Sequence, residues 1–273
     1  MGKTIETAGV LAQRALGGNI YDLTLRAPKI AASARAGQFV SLYCSDSSRL
    51  LPRPISLCGI DGESGSIRLV YRVTGEHTGT EEFSRLAEGD SVRIMGPLGN
   101  GFAVQPGKKA LLIGGGIGVP PMLQLAKDIR AGAVQGLAGL EPAELPDFQM
   151  VMGYRDRQTF LLDEFREQGE CLVATEDGSV GTKGNVLDAI REHALTADVI
   201  YACGPTPMLR ALKGYAAEHG MDCYISMEER MACGIGACLA CVCRTVGKDV
   251  HSNVNNRRIC KDGPVFDARE VEL

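Results

Sequence analysis

Four cysteines near the C-terminus constrain this chain more than any other feature. Cys233, Cys238 and Cys241 are spaced C-x4-C-x2-C, and Cys260 follows after eighteen intervening residues. Thiolates in that order match the plant-type [2Fe–2S] pattern. Between the first two, Gly234, Gly236 and Ala237 let the backbone turn tightly around a bulky anion and aim its N–H groups at sulfur. A structural zinc ion also takes four thiolates. Zinc knuckles, however, usually pair short loops and do not need a loop of such small residues. Cys243 would project the same way as Cys241 on an extended strand, but only Cys241 gives the x2 spacing. Such a centre carries electrons and performs no bond chemistry, so the rest of the chain must supply a donor and an acceptor. The stretch 221–273 is too short for much core of its own, so bound metal should help hold it folded.

The other function classes narrow quickly. A chain of 273 residues accommodates two domains and a small appendage, and 45% hydrophobic with 23% charged residues is ordinary for a globular protein. A net charge of −4 leaves no basic footprint for nucleic acid or a membrane surface. With no Trp and few aromatics, a stacking platform for single strands is not expected. No apolar run has the length of a spanning helix and the N-terminus lacks a signal-peptide core, which points to the cytoplasm. Ten cysteines there read as metal ligands and buried apolar residues, not disulfides.

Up to about residue 105 the pattern is strand, turn, strand. Short β-branched or alternating runs at 20–26, 39–44, 55–60, 67–73 and 91–95 are separated by clusters such as Gly17-Gly18-Asn19 and Asp61-Gly62-Glu63. This predicts a small antiparallel β-barrel with one short helix near 80–86. Three pieces suit a flavin dinucleotide lying across it. Arg53-Pro54-Ile55-Ser56 offers a guanidinium for phosphate and a hydroxyl for a ring edge, Val70-Tyr71-Arg72 follows, and Gly79-Thr80 precedes the helix as an anion site.

From residue 106 the period changes. An apolar strand at 109–113 runs into Gly114-Gly115-Gly116-Ile117-Gly118-Val119-Pro120-Pro121-Met122 and then a helix to about 131. A glycine-rich turn between strand and helix suits close approach to a pyrophosphate, although it departs from G-x-G-x-x-G. Further strand–helix pairs (148–153 with 160–167, 171–176 with 184–193, 199–203 with 205–219) predict a parallel sheet with helices on both faces. Two strand ends look functional, Thr175-Glu176-Asp177-Gly178-Ser179 and Cys203-Gly204-Pro205-Thr206-Pro207-Met208. The segment 132–146 reads as a surface loop or short insertion. None of His77, His193, His219 or His251 sits in an acid–base context.

The order Arg-Pro-Ile-Ser, Gly-Gly-Gly-Ile-Gly-Val-Pro-Pro-Met, Cys-Gly-Pro-Thr-Pro-Met and a four-cysteine module resembles the ferredoxin–NADP reductase superfamily. It is most similar to the electron-transfer subunits of NAD-dependent (class B) dihydroorotate dehydrogenases. The resemblance covers essentially the whole chain and is most specific over 227–238 and 259–266. It implies an FAD-binding β-barrel (1–105), an NAD-binding α/β domain with a parallel sheet (106–221) and a small [2Fe–2S] module (222–273). It implies FAD at Arg53, Pro54, Ile55, Ser56, Val70, Tyr71, Arg72, Gly79 and Thr80. NAD(H) would lie at Gly114, Gly115, Gly116, Gly118, Cys203, Gly204 and Pro205, and the cluster at Cys233, Cys238, Cys241 and Cys260. His77-Thr78 looks like a small insertion in the flavin loop. The implied partner is a separate FMN-containing dihydroorotate dehydrogenase catalytic subunit in a hetero-oligomer, with no nucleic acid and no membrane. That subunit oxidises dihydroorotate to orotate, and this chain passes electrons to NAD+ as part of pyrimidine biosynthesis. The rival is the small subunit of an NAD(P)H-dependent ferredoxin or sulfide oxidoreductase, in which the four-cysteine loop tends to differ. Arg155 and Arg157 follow the second strand of the nucleotide half, where a 2′-phosphate would lie, and leave NADH against NADPH open.

Overall fold

The computed structural model describes residues 2–248 and 253–273, so His251 lies outside the described residues. Strands β1 (Thr4–Gly17) and β2 (Ile20–Arg26) form a hairpin whose turn runs through positive φ at Gly17, Gly18 and Asn19. With α1 (Pro28–Ala31), β3 (Phe39–Tyr43), β4 (Arg53–Asp61), β5 (Ser66–Arg72), α2 (Gly79–Phe83) and β6 (Ser91–Leu98), they close an antiparallel barrel in the order β1-β2-β5-β4-β3-β6. Residues of alternate parity fill it: Leu23, Leu25, Val40, Leu42, Ile55, Leu57, Leu69 and Tyr71 share one core. The opposite face is also covered in places. Cys58 and Val70 join the core beneath one side of the second domain, whereas Phe39, Met95 and Leu98 join the core that includes the cysteine module. Each of those large apolar side chains contributes roughly 1.5–3 kcal/mol on burial, enough to set how the barrel docks.

The second half is built on β7 (Ala110–Gly115), α3 (Val119–Arg130), β8 (Phe148–Tyr154), α4 (Leu162–Gln168), β9 (Cys171–Thr175), β10 (Thr182–Lys183), α5 (Val186–Glu192), β11 (Val199–Cys203), α6 (Thr206–His219) and β12 (Asp222–Ser226). The sheet order is β10-β9-β8-β7-β11-β12-β15, with β15 (Val265–Asp267) at the far edge. Helices α3 and α4 pack into one core and α5 and α6 into the other. The order reverses between β7 and β11, so the crevice at their C-terminal ends is a topological switch point, where open sheets of this type bind ligands.

Three expectations need correction. The sheet is mixed, because β15 runs antiparallel to β12. It also reaches past residue 221, since β12 and β15 both come from the C-terminal stretch. Segment 132–146 is not purely surface: Val134 and Leu137 are buried, and the Val104 N–H donates to the Gln135 carbonyl at 2.9 Å. The remaining elements, β13 (Val242–Arg244), β14 (Asn256–Arg258) and α7 (Ile259–Asp262), complete the cysteine module. Among the described residues no helix is long and apolar enough to cross a membrane.

Candidate functional site

The barrel presents its motif unevenly. Arg53 begins β4 and lies against the start of α2: a Cβ added at Gly79 would stand 2.9 Å from its Nε and 2.8 Å from Cys44 Sγ. Glycine is thus required there for the guanidinium to lie over the helix end; it also donates to the Leu51 carbonyl. The helix is shorter than expected and its cap is Thr78, whose Oγ1 accepts from the Glu81 N–H at 3.2 Å. The Thr80 hydroxyl is buried and accepts from the Thr74 N–H at 3.2 Å, so Gly79 and Thr80 have mainly backbone N–H groups to offer. Pro54 and Ser56 share the outer face of β4, while Ile55 and Tyr71 point into the barrel core. Tyr71 stacks on Tyr21 and donates from its hydroxyl to Gln13 Oε1 at 3.1 Å. Val70 is buried against the neighbouring domain and Arg72 is exposed at the end of β5.

The nucleotide crevice is assembled by backbone-to-backbone contact. Gly114 and Cys203 are register partners on β7 and β11. A Cβ added at Gly118 would meet the Cys203 carbonyl oxygen at 2.4 Å and Gly204 Cα at 2.6 Å, so the two motifs touch directly. One added at Gly114 would stand 2.9 Å from Val119 Cα. Gly115 and Gly204 are both covered by the Met208 thioether, and Pro205 precedes α6. Gly116, with φ +54, faces open space. Arg155 and Arg157 are exposed beyond the end of β8.

Burial pushes the Cys203 thiol up to about 12, with the Ser226 hydroxyl opposing and Glu228 adding to the rise. Glu228 lies in the 227–238 stretch, where the resemblance is most specific, without a role assigned to it. With Glu229, Gly204, Pro205, Thr206 and Cys243 it lines a cavity of about 400 Å³. Part of its side chain reaches solvent, yet the cavity walls, and then Glu229, raise its carboxyl pKa. An acidic pair directly after a buried strand was the available signal.

In the cysteine module the thiols stand in two pairs. Cys233 contacts Cys238, and Cys241 contacts Cys260, with Cys233 in electrostatic reach of Cys260. The N–H groups of Ala237 and Cys238 donate to Cys233 Sγ at 3.3 and 3.4 Å, and that of Cys260 to Cys241 Sγ at 3.4 Å. Burial raises the Cys233 pKa, but these backbone donors and that of Ile235, with the Cys238 thiol, overcome it and hold the group at about 6. Burial and the adjoining Cys241 push Cys260 up to about 12. Among the described residues no three His, Cys, Asp or Glu side chains converge as a site for a single metal ion. Arg258 donates to the Gly236 carbonyl at 3.3 Å and pairs with Asp262 at 2.9 Å, bracing the loop on α7. Cys243 is buried on β13 and lines the cavity beside Gly204.

These parts meet at the barrel's outer wall. Gly234 (φ +66) lies on β6, where an added Cβ would be 2.9 Å from Met95 Cε and 3.2 Å from Leu98 Cδ1. Asn100, just beyond β6, clasps the module: its N–H donates to the Gly263 carbonyl at 2.6 Å, its Nδ2 to the Val265 carbonyl at 2.8 Å, and its Oδ1 accepts from the Val265 N–H at 2.9 Å. A single asparagine in a turn carries no sequence signal for such a role.

Residues 228–272 match the family described as the iron–sulfur cluster binding domain of dihydroorotate dehydrogenase B, and 112–214 match the oxidoreductase NAD-binding domain. The dihydroorotate dehydrogenase B (NAD(+)) electron transfer subunit of Geobacillus sp. strain WCH70 is 42% identical over 98% of both chains. That of Listeria monocytogenes is 42% identical over 97% of both. Among solved structures, an NADH-dependent reduced ferredoxin–NADP oxidoreductase has a TM-score of 0.82 at 28% identity, covering 97% of this chain and 89% of the other. A ferredoxin reductase of carbazole 1,9a-dioxygenase, at 0.64 and 22%, covers 81% of this chain and 67% of its own and shares the fold. Full-length identity of this degree, with the barrel, the switch-point crevice and the four-cysteine module all present, shows that the chain belongs to the family of dihydroorotate dehydrogenase B electron-transfer subunits.

Proposed function

We propose that this electron-transfer subunit links NAD(H) to an FMN-containing dihydroorotate dehydrogenase chain in the cytoplasm, using FAD on the barrel and a [2Fe–2S] centre on the four cysteines. The observation that carries the proposal is the packing of the Cys233 loop onto β6 of the barrel through Gly234, while Cys243 of the same module lines a cavity together with Gly204 beyond the end of β11. Paired thiols supported by backbone N–H donors favour a centre with two metal atoms, and an all-sulfur donor set suits iron–sulfur chemistry. When bound, a flavin exchanges an electron pair with nicotinamide and single electrons with an iron–sulfur centre, so it belongs between the two.

The chain's own residues position these groups. Arg53 offers a fork for a pyrophosphate beside the backbone N–H groups of Gly79 and Thr80, and Gly79 has no Cβ to intrude on the guanidinium. Ser56 presents its hydroxyl on the outer face of β4. The glycine turn and the end of β11 keep side chains away from a nucleotide, while Met208 and the Glu228 cavity wall the crevice. Cys233, Cys238, Cys241 and Cys260 would hold the cluster. Dihydroorotate binds on the partner, and this chain takes its electrons.

Similarity to a ferredoxin–NADP oxidoreductase supports the rival reading of a small subunit serving ferredoxin or sulfide chemistry. Co-purification from the native cell separates the two. An FMN-containing dihydroorotate dehydrogenase chain travelling with this one supports the proposal; a different oxidoreductase in its place would overturn the partner assignment.

A further inference from the structure

On the barrel wall facing the cysteine loop, one polar group is out of place. Ser41 is in the middle of β3, fully buried at 0% exposure, and its Oγ has no hydrogen-bond partner among the described residues. By strand parity it shares the outer face with Phe39 and Tyr43, in a wall otherwise made of Met95 and Leu98. Its register partners are Pro54, which has no N–H, and Met95, whose Sδ already accepts from the Tyr43 hydroxyl at 3.8 Å. Directly opposite is Gly234, where an added Cβ would stand 3.4 Å from Ser41 Oγ. The hydroxyl therefore points at the residue after Cys233, with no partner among the described residues.

A buried hydroxyl without a partner costs free energy that a valine or alanine at the same position would avoid. The cost is offset if a group arriving from outside the chain accepts the hydrogen bond. Gly234, which faces Ser41, follows Cys233 directly in the chain, so on the cluster reading above the acceptor would be a sulfur of the iron–sulfur centre. The neighbouring Tyr43 hydroxyl already uses a sulfur acceptor on this wall. We infer that the Ser41 hydroxyl is a hydrogen-bond donor supplied by the flavin barrel to the sulfurs of the iron–sulfur centre, a positioning residue that raises the reduction potential of that centre. A donor aimed at sulfur stabilises the additional negative charge of the reduced form, and such bonds are among the protein's levers on potential. Gly234 serves the same arrangement, since any side chain there would fill the space between Ser41 and the loop.

The inference rests on the cluster reading, and the test keeps the two separate. Wild type, Ser41→Ala and Ser41→Thr full-length holoproteins are assayed for iron content, flavin content and thermal stability. The midpoint potentials of both centres are then followed by absorbance and electron paramagnetic resonance. Ser41→Ala removes an unpaired group, so folding and cofactor content hold. Its cluster midpoint is expected to move to a more negative value beyond replicate scatter, while the flavin midpoint stays. Ser41→Thr keeps the O–H and is expected to restore the wild-type midpoint. A cluster midpoint unchanged in Ser41→Ala, or a shift confined to the flavin, would overturn the assignment. If Ser41→Ala fails to load iron, a wild-type midpoint in Ser41→Thr supports the donor role and a shifted one overturns it. Wild-type protein without iron would instead remove the cluster reading, and this inference with it.

Discussion

Gly118→Ala gives the sharpest test of how the nucleotide crevice is built. The new Cβ would lie 2.4 Å from the Cys203 carbonyl oxygen, 2.5 Å from its carbon and 2.6 Å from Gly204 Cα. All three are backbone atoms at a strand end, so no side chain can swing away. Ordinary contact begins near 3.4 Å, so the turn and the end of β11 must separate by about 1 Å. Overpacking of this kind costs about 1–3 kcal/mol. A misplacement of that size is worth roughly 10²-fold in a reaction that needs aligned partners. Gly220→Ala, at the C-terminal end of α6, is the matched control: φ +67 makes it strained by roughly 1–2 kcal/mol, yet its Cβ meets nothing within 4 Å. The two variants should therefore lose comparable stability and differ in chemistry. In anaerobic stopped-flow, NADH should bleach the flavin about a hundredfold more slowly in Gly118→Ala and near the wild-type rate in Gly220→Ala, with iron and flavin content unchanged in both. Equal rates for the two variants would refute the claim that contact between the glycine turn and Cys203-Gly204 forms the nicotinamide site.

Three further outcomes are expected. Cys238→Ser should lose the cluster absorbance while flavin binding and its reduction by NADH persist; iron retained at the wild-type level would count against the ligand set. Arg53→Ala should release FAD on prolonged dialysis, and undiminished flavin content would remove Arg53 from the pyrophosphate site. Arg68 bridges the domains, donating to Asp22 at 2.8 Å and Glu164 at 2.6 Å. The Arg68 hydrogen bond, despite opposing desolvation, holds the Glu164 carboxyl below its ordinary value. A depressed carboxylate stabilises the fold above its unfolded pKa of about 4.3 and loses that contribution as pH falls through the folded value. Glu164→Gln should accordingly flatten the dependence of unfolding free energy on pH below about 4.5; an unchanged slope would show that the bridge contributes nothing.

Much of this was legible from local pattern. The cysteine spacing, the Gly114-to-Gly118 turn and the strand end at Cys203 are short-range signals, and the fold places the last two in direct contact. What escaped the sequence depends on distant partners. Strand β1, with its Ala and Gly residues, is defined by pairing with β2 and β6 and not by alternation of its own. β12 and β15 are five and three residues long, and only the sheet decides that they belong to it. The flavin-loop tetrapeptide is split by strand parity, which turns Ile55, like Tyr71 on β5, inward and leaves Pro54 and Ser56 outside. Asn100 and Ser41 carry no motif; their roles follow from what stands opposite them across the chain.

The central claim, that one chain joins NAD(H) to an iron–sulfur exit through a flavin on its barrel, is tested most directly by anaerobic titration of the purified chain with NADH. Absorbance reports the flavin and electron paramagnetic resonance reports the cluster. The account expects a yellow-brown protein in which both centres become reduced in wild type and only the flavin in Cys238→Ser. A colourless zinc protein, or a cluster that stays oxidised after the flavin is fully bleached, would contradict it.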